Sequence, residues 1–307
     1  MTQSLRSQLL VRRTYNRPLD DAGTVFETFE QTIDRVIGHQ KWLWERAKKG
    51  SLDWAEAGEL DELRTLMLER KVLMSGRTLW LGGTDVAKRR EASQFNCSFT
   101  HVETVYDVVD VLWLLMQGCG VGFRPIVGQL TGFQNPIKEI EVIRSTRTTK
   151  NGQQDNSESY DPDTGVWTIK IGDSAEAWSK SIGKLVAHKF PASKLVLDFS
   201  EIRPAGERLR GYGWISSGDQ SISTAYLAIA QLLNKRAGSL LTRMDILDLV
   251  NWLGTVLSSR RSAEIALFEY GEDEWEEFTT AKKDWWKYNV QRSQSNNSLL
   301  FRHKPTK

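Results

Sequence analysis

A change of hydrophobic period at Asn96 is the feature that most limits what this chain can fold into. Before it, apolar residues recur at helical spacing: Phe26, Phe29, Ile33, Val36 and Ile37 within residues 24–49, then Leu60, Leu63, Leu66 and Met67 in LDELRTLMLERKVLM. After it, short apolar runs alternate with longer helical patterns. EIEVIRST (with Ile140, Val142 and Ile143), KLVLDFS at 194–200, RRSAEIALFE and SNNSLLF read as strands. VYDVVDVLWLLMQ, GDSAEAWSKSIGKLVAHK, TAYLAIAQLLNKRAG and LTRMDILDLVNWLGTVL read as helices, the third closed by Gly238 and the fourth opened by Thr242 with Asp245 at capping-box distance. DEWEEFTTAKKDWWKYN reads as one amphipathic surface helix. Helices first and alternation second describe an α/β protein: a mainly helical region over residues 1–95 and an α/β region over 96–307.

Two polar stretches interrupt the second region. Residues 148–165, TTKNGQQDNSESYDPDTG, predict an exposed loop or hairpin tip, and IRPAGERLRGYGWISSGDQSI, following the KLVLDFS strand, predicts a long loop rich in Gly, Ser and Arg. No internal repeat or low-complexity tract divides the chain.

Composition narrows function by exclusion. The 307 residues carry 41 Lys and Arg against 39 Asp and Glu, so a net charge of +2 offers no broad attraction to nucleic acid or membrane, and any phosphate must be captured locally. No apolar stretch is long enough to span a bilayer and the first residues lack a signal core, which predicts a cytoplasmic protein with no membrane partner. Two cysteines, Cys97 and Cys119, exclude a disulfide scaffold. His39, His101, His188 and His303 lack metal-site spacing, so no metal ligand is assigned. The twelve tryptophans read as packing residues.

Seven segments in one order carry a family resemblance: SGRTLWLGGTD (75–85), FNCSF (95–99), LMQGCGVGF (115–123), LDFSEIRPAGERLRGYG (197–213), SSGDQSI (216–222), SSRRSAEIAL (258–267) and QRSQSNNSLL (291–300). Over roughly residues 13–300 the chain resembles the amino-terminal half of the catalytic subunit of adenosylcobalamin-dependent, class II ribonucleoside-triphosphate reductases, particularly the monomeric kind. The resemblance implies a helical region followed by the first half of a ten-stranded α/β barrel, incomplete at its carboxy end. It implies a nucleotide substrate, adenosylcobalamin, a dNTP or ATP effector and an external thiol reductant such as thioredoxin. In the family, the second half brings an Asn-Pro-Cys-Gly-Glu motif with the radical cysteine and catalytic glutamate, then the redox partner thiol; none of these occurs here. An open half-barrel would expose sheet to water, so the expectation is a carboxy-terminal partner, and inactivity without it.

Residue by residue, the resemblance makes Cys97 the first thiol of a reducing pair, because two thiols closing to a disulfide supply the two electrons that ribose reduction consumes. Asn96 and Ser98 flank it as ribose contacts, and Ser75, Gly76 and Arg77 match an early substrate loop. Cys119 stands where the family usually has a glycine and reads as a structural substitution, not as the partner of Cys97. Gly211, Tyr212, Gly213, Trp214 and Ile215 match the specificity loop, which continues through Ser216, Ser217 and Gly218 as substrate contacts. Arg144, Arg147 and Lys150 match the other effector loop, which residues 155–160 continue. Arg203, Arg208 and Arg210 suit phosphate or solvent equally, and Arg260 and Arg261 suit neighbouring carboxylates. Two other readings stay open: a nonenzymatic deoxynucleotide-binding module, and a large-subunit piece of the metal-radical class.

Overall fold

The computed structural model describes residues 4–20, 22–149, 151–209, 212, 215–257 and 264–305. Its chain forms two compact units, one of residues 1–95 with 208–214, the other of 96–207 with 215–307.

In the first unit the helical periods form α1 (Leu5–Thr14), α2 (Phe29–Lys48), α3 (Trp54–Leu68), α4 (Gly76–Leu81) and α5 (Asp85–Arg89). Thr28 and Asp53 begin α2 and α3 with capping boxes, satisfying amide donors that a helix start leaves free. Ile33, Val36, Met67 and Leu79 make a small core. Beside it the buried Glu27 carboxylate takes Arg35 Nε at 2.7 Å, Thr32 Oγ1 at 2.9 Å and the Arg17 amide at 3.0 Å. Burial opposes its charge, but the Arg35 and Arg17 hydrogen bonds win and hold the carboxyl below its usual range.

The second unit is α/β, as the alternation implies. Four strands, β1 (Cys97–Val102), β2 (Gly120–Pro125), β7 (Glu264–Glu269) and β8 (Ser295–Leu300), form one wholly parallel sheet in the order β1-β2-β7-β8. Helix α6 (Val105–Met116) crosses from β1 to β2. Between β2 and β7 the chain inserts a second sheet, ordered β3 (Glu139–Ile143), β6 (Lys194–Asp198), β5 (Val166–Lys170), β4 (Ser157–Asp161). Here only the β4–β5 hairpin is antiparallel. Helices α7 (Ala175–Ala187), α8 (Gln220–Lys235) and α9 (Arg243–Thr255) pack with both sheets in one core that includes Leu112, Phe123, Trp167, Leu197, Tyr226, Leu247 and Phe268.

Three local expectations change. The surface helix over 273–289 is two short ones, α10 (Trp275–Thr280) and α11 (Trp285–Tyr288), interrupted at Asp284, whose left-handed backbone (φ 51°) cannot continue a helix. Five residues of the polar 148–165 stretch are strand β4, paired to β5 residue by residue from Ser157↔Lys170 to Asp161↔Val166. Strands β1 and β2 are hidden in sequence by polar FNCSF and glycine-rich GVGF, and become strands because each pairs with the other from Cys97↔Gly120 to Val102↔Pro125.

One buried group sets a pH dependence. Glu264 begins β7 fully inside the core, where Asn251 Nδ2 donates to Oε2 at 2.9 Å and Oε1 has no partner. Burial pushes this carboxyl up to about 8 from an ordinary 4.5, the Asn251 hydrogen bond and Lys282 only partly offsetting it. A group whose folded value is raised favours folding below its unfolded value and loses that contribution as pH climbs through the folded one. Thermal unfolding at pH 5, 7 and 8.5 should therefore show the wild type falling progressively behind Glu264→Gln, by roughly 2–4 kcal/mol at the alkaline end. Parallel curves for the two proteins would show that the carboxyl ionises freely in the fold.

Candidate functional site

Strand alternation divides the parallel sheet into a covered and an uncovered face. Ser98, Val121, Glu264 and Ser295 share one row on the core side, and Val102, Phe123, Ala266 and Phe268 are buried along the same side. The other face carries Cys97, Phe99 and His101 on β1, Gly120, Gly122 and Arg124 on β2, Ile265, Leu267 and Glu269 on β7, and Asn296, Ser298 and Leu300 on β8. Large apolar side chains stand in solvent there, Phe99 at 54% and Ile265 at 48% exposure, which marks a surface built to meet something.

Cys97 opens this face as an exposed free thiol. Its neighbour across the ladder is Gly120, and next along β2 is Gly122, over which the Phe99 ring lies so closely that a Cβ would fall 2.7 Å from Phe99 Cδ2. The result is a thiol beside the side-chain-free backbone of Gly120, with the Phe99 ring covering Gly122 next to it. Farther along, Arg124 Nη2 bridges Glu269 (3.1 Å) and Glu272 (2.9 Å), closing that end with an ion network.

The residues flanking Cys97 separate. Asn96 is exposed and its carbonyl accepts the Gly120 amide at 2.8 Å. Ser98 turns to the opposite face, where its hydroxyl donates to the Gly120 carbonyl (3.4 Å) and the Cys119 thiol lies 3.5 Å away. Successive strand residues point to opposite sides, so the structure does not bring Ser98 to the Cys97 face. The same alternation buries Cys119 on the core side, and two thiols aimed at opposite faces cannot close a disulfide without backbone movement.

Ser75, Gly76 and Arg77 lie in the helical unit. Ser75 caps α4 by accepting from the Thr78 amide at 3.3 Å, Gly76 packs under the Tyr15 ring, and Arg77 donates to the Ser93 carbonyl at 3.0 Å. Tyr212 is buried in that unit too, with its carbonyl accepting from Arg17 (3.1 Å) and its hydroxyl from Arg90 (2.9 Å). Lys150, Gly211, Gly213, Trp214, Arg210, Arg260 and Arg261 lie outside the described residues.

In the α/β unit, Arg144 and Arg147 converge on the segment that follows β6. Arg144 Nε reaches Asp219 Oδ2 at 2.6 Å, and the Ser145 amide donates to the same oxygen at 2.9 Å. Arg147 reaches Glu201 Oε2 at 3.2 Å, while Lys170 takes Oε1 at 2.8 Å. Ser216 is buried, its hydroxyl accepting from the Gly218 amide (3.0 Å); Ser217 donates to the Val256 carbonyl, and Ile215 is exposed. Gly218 has φ +69° and its Cβ position lies 3.0 Å from the Ala205 amide nitrogen, so this turn needs glycine. Arg203 is committed to the buried Asp173, both oxygens within 3.0 Å. Among the described residues no group of His, Cys, Asp and Glu is placed to hold a metal ion, and no helix is long and apolar enough to cross a membrane.

Sequence reading missed Phe99, Gly122, Ile265 and Asn296 on the thiol face, and Asp219 and Glu201 as partners of the loop cations. The first four follow from strand register and the other two from loop proximity, and neither is expressed in local pattern.

Comparison with known proteins agrees with the fold. Residues 140–233, which include the inserted sheet, match the family model described as B12-dependent ribonucleotide reductase, insertion domain. The adenosylcobalamin-dependent ribonucleoside-triphosphate reductase of Lactobacillus gasseri is 31% identical over 94% of this chain and 44% of its own length. That of Lactobacillus helveticus is 30% identical over 95% of this chain and 45% of its own length. A crystal structure of B12-dependent (class II) ribonucleotide reductase superposes with a TM-score of 0.74 at 26% identity, covering 95% of this chain and 45% of that one. In fold and sequence the chain is thus similar to class II ribonucleotide reductases over a little under half of their length. Within that class it is similar to the adenosylcobalamin-dependent ribonucleoside-triphosphate reductases, as the seven segments implied, and it spans about half the length of the relatives it matches.

The placement of the two thiols is directly measurable. A thiol reagent such as dithionitrobenzoate should titrate one cysteine in the native chain and two after denaturation, with Cys97→Ser removing the native reaction and Cys119→Ser leaving it intact. Two thiols reacting in the native protein would contradict the core position of Cys119.

Proposed function

We propose that this chain contributes the reducing thiol and the nucleotide-contacting loops of a ribonucleoside-triphosphate reductase. The observation that carries the proposal is Cys97: an exposed thiol on the uncovered face of a parallel sheet, beside the Gly120–Gly122 strip. In the reaction the C2′–O bond of the ribose breaks with loss of water and a C–H bond forms. Two thiols give up two electrons and become a disulfide, which an external thiol such as thioredoxin would reopen. Cys97 supplies one thiol. Its partner is not Cys119, so it comes from residues this sequence does not contain, as the family resemblance implies.

The uncovered face, with Phe99, Ile265 and Leu300 in solvent, fits association with further reductase polypeptide, which would also bury the sheet edge at β8. Asn96 is the polar side chain best placed to reach a ribose there, and in the helical unit Ser75, Gly76 and Arg77 are the residues proposed for substrate phosphates. Arg144, Arg147 and Ile215 are proposed for a deoxynucleotide or ATP effector, and Ser216, Ser217 and Gly218 for the substrate. Adenosylcobalamin, when bound, supplies the radical that starts the chemistry. The described residues around Cys97 form an open face and not an enclosure sized for a corrin, so none of them is assigned to hold it, and what the chain's own residues do is present the nucleotide to the thiol.

The test is reconstitution. The chain is combined with a polypeptide spanning the remaining length of the Lactobacillus gasseri relative, adenosylcobalamin, dithiothreitol and CTP, and dCTP is quantified. Turnover should require both polypeptides, fall by at least about a thousandfold in Cys97→Ser, and persist in Cys119→Ser. Full turnover by Cys97→Ser would refute the assignment. A nonenzymatic deoxynucleotide-binding role is favoured by one observation, that within one unit Arg144 pairs with Asp219 at the 215–219 turn and Arg147 pairs with Glu201. Deoxynucleotide binding with no turnover in that reconstitution would select it.

A further inference from the structure

The segment joining β7 to β8 keeps its aromatic rings in water. Trp286 is 58% exposed, Tyr288 79% and Val290 50%, and α11 buries none of its four residues. Looseness does not explain this, because the segment is fastened on both sides. Ahead of α11, Phe278 is buried and stacks on Phe268 with ring centres 3.9 Å apart, and Lys282 donates to the Ser295 carbonyl. Behind α11, Arg292 holds Asp248 through Nε (2.7 Å) and Nη2 (2.8 Å) and donates to the Ala281 carbonyl at 3.0 Å. Two large rings held outward on an anchored segment have the character of a contact surface, since Trp and Tyr cover much area and lose little freedom on docking.

Charge on the same segment indicates what it would meet. Asp273, Glu276 and Glu277 are exposed at the α10 end, and Lys283 and Lys287 are exposed at the α11 end. Among the described residues, Asp273, Glu276, Glu277 and Lys283 enter no ion pair. Lys287 has a long contact of 3.7 Å to its helix neighbour Asp284 and lies over the Trp286 ring. One short surface therefore carries unanswered negative charge at one end and weakly answered positive charge at the other.

We propose that the α10–α11 surface is a homotypic interface. It docks on the same surface of a second copy of this chain, with α10 of each copy against Lys283 and Lys287 of the other. A two-fold contact needs a patch complementary to itself, and a patch acidic at one end and basic at the other meets that need when two copies lie antiparallel. The exposed rings supply an apolar centre and the charges a polar rim. A wholly acidic or wholly basic occupant would set like charge against one end of the patch, which favours the second copy. Phe278 meets Phe268 on the covered side of the parallel sheet, so this surface is separate from the Cys97 face.

Sedimentation equilibrium of the intact 307-residue chain over about 1–100 µM measures the dimer constant. Wild type should dimerise, and Trp286→Ala combined with Tyr288→Ala should weaken the dimer about tenfold or more. Lys283→Glu with Lys287→Glu should weaken self-association about tenfold, and Glu276→Lys with Glu277→Lys should do the same. Mixing these two charge-reversed proteins should give a 1:1 heterodimer at least as tight as the wild-type dimer. All six side chains are exposed, so the variants should keep the fold, which circular dichroism checks. Phe99→Ser, on the Cys97 face, should leave the dimer constant unchanged. Wild-type monomers at every concentration would overturn the proposal. So would charge-reversed proteins that dimerise like wild type, or a dimer that Phe99→Ser abolishes, which would place the contact on the Cys97 face.

Discussion

The parallel pairing of β1 with β2, fixed by Cys97 opposite Gly120, is the constraint on which the rest of the functional face depends. A strand places successive side chains on opposite sides, so one register choice settles six positions together. It puts Cys97, Phe99 and His101 on the uncovered face and Ser98, Thr100 and Val102 toward the core. It also sends Cys119 inward, leaving Cys97 as the thiol available to a molecule on that face. Slipping β1 by one residue would turn the Cys97 thiol toward the core and expose the buried Val102.

Glycine does a particular job in that register. Gly120 and Gly122 look in sequence like a turn or a phosphate loop, yet both are strand residues, and the absence of a side chain at Gly122 lets the Phe99 ring pack against it. A parallel strand with glycine at alternate positions presents bare backbone on one face while Val121 and Phe123 fill the core on the other. The strand is stabilised from the core side and carries no side chain at Gly120 and Gly122 on the other.

The inserted sheet solves a different problem. It shares the core with the parallel sheet, through Trp167, Ile169, Leu195 and Leu197, but its polar connections lie where charged groups hold one another by ion pairs instead of by burial. These partly buried pairs tie the loops to the β3–β6–β5 ladder beneath them.

Much was legible from the chain alone. Helical period before Asn96 and alternation after it specified the class, Thr242 with Asp245 specified the start of α9, and the seven ordered segments identified the relatives and singled out Cys97. These succeed because caps, periodicity and motifs are local, each written in residues a few positions apart. What only the tertiary structure decided was facing and partnership: that Ser98 turns away from its neighbour, that Cys119 is buried, that GVGF is a strand, and that Arg144 and Arg147 are held by Asp219 and Glu201. Each of these depends on which strand lies beside which and on contacts between residues tens of positions apart. Such distant pairings are settled by the burial of a shared core, and no local spacing in the sequence records them.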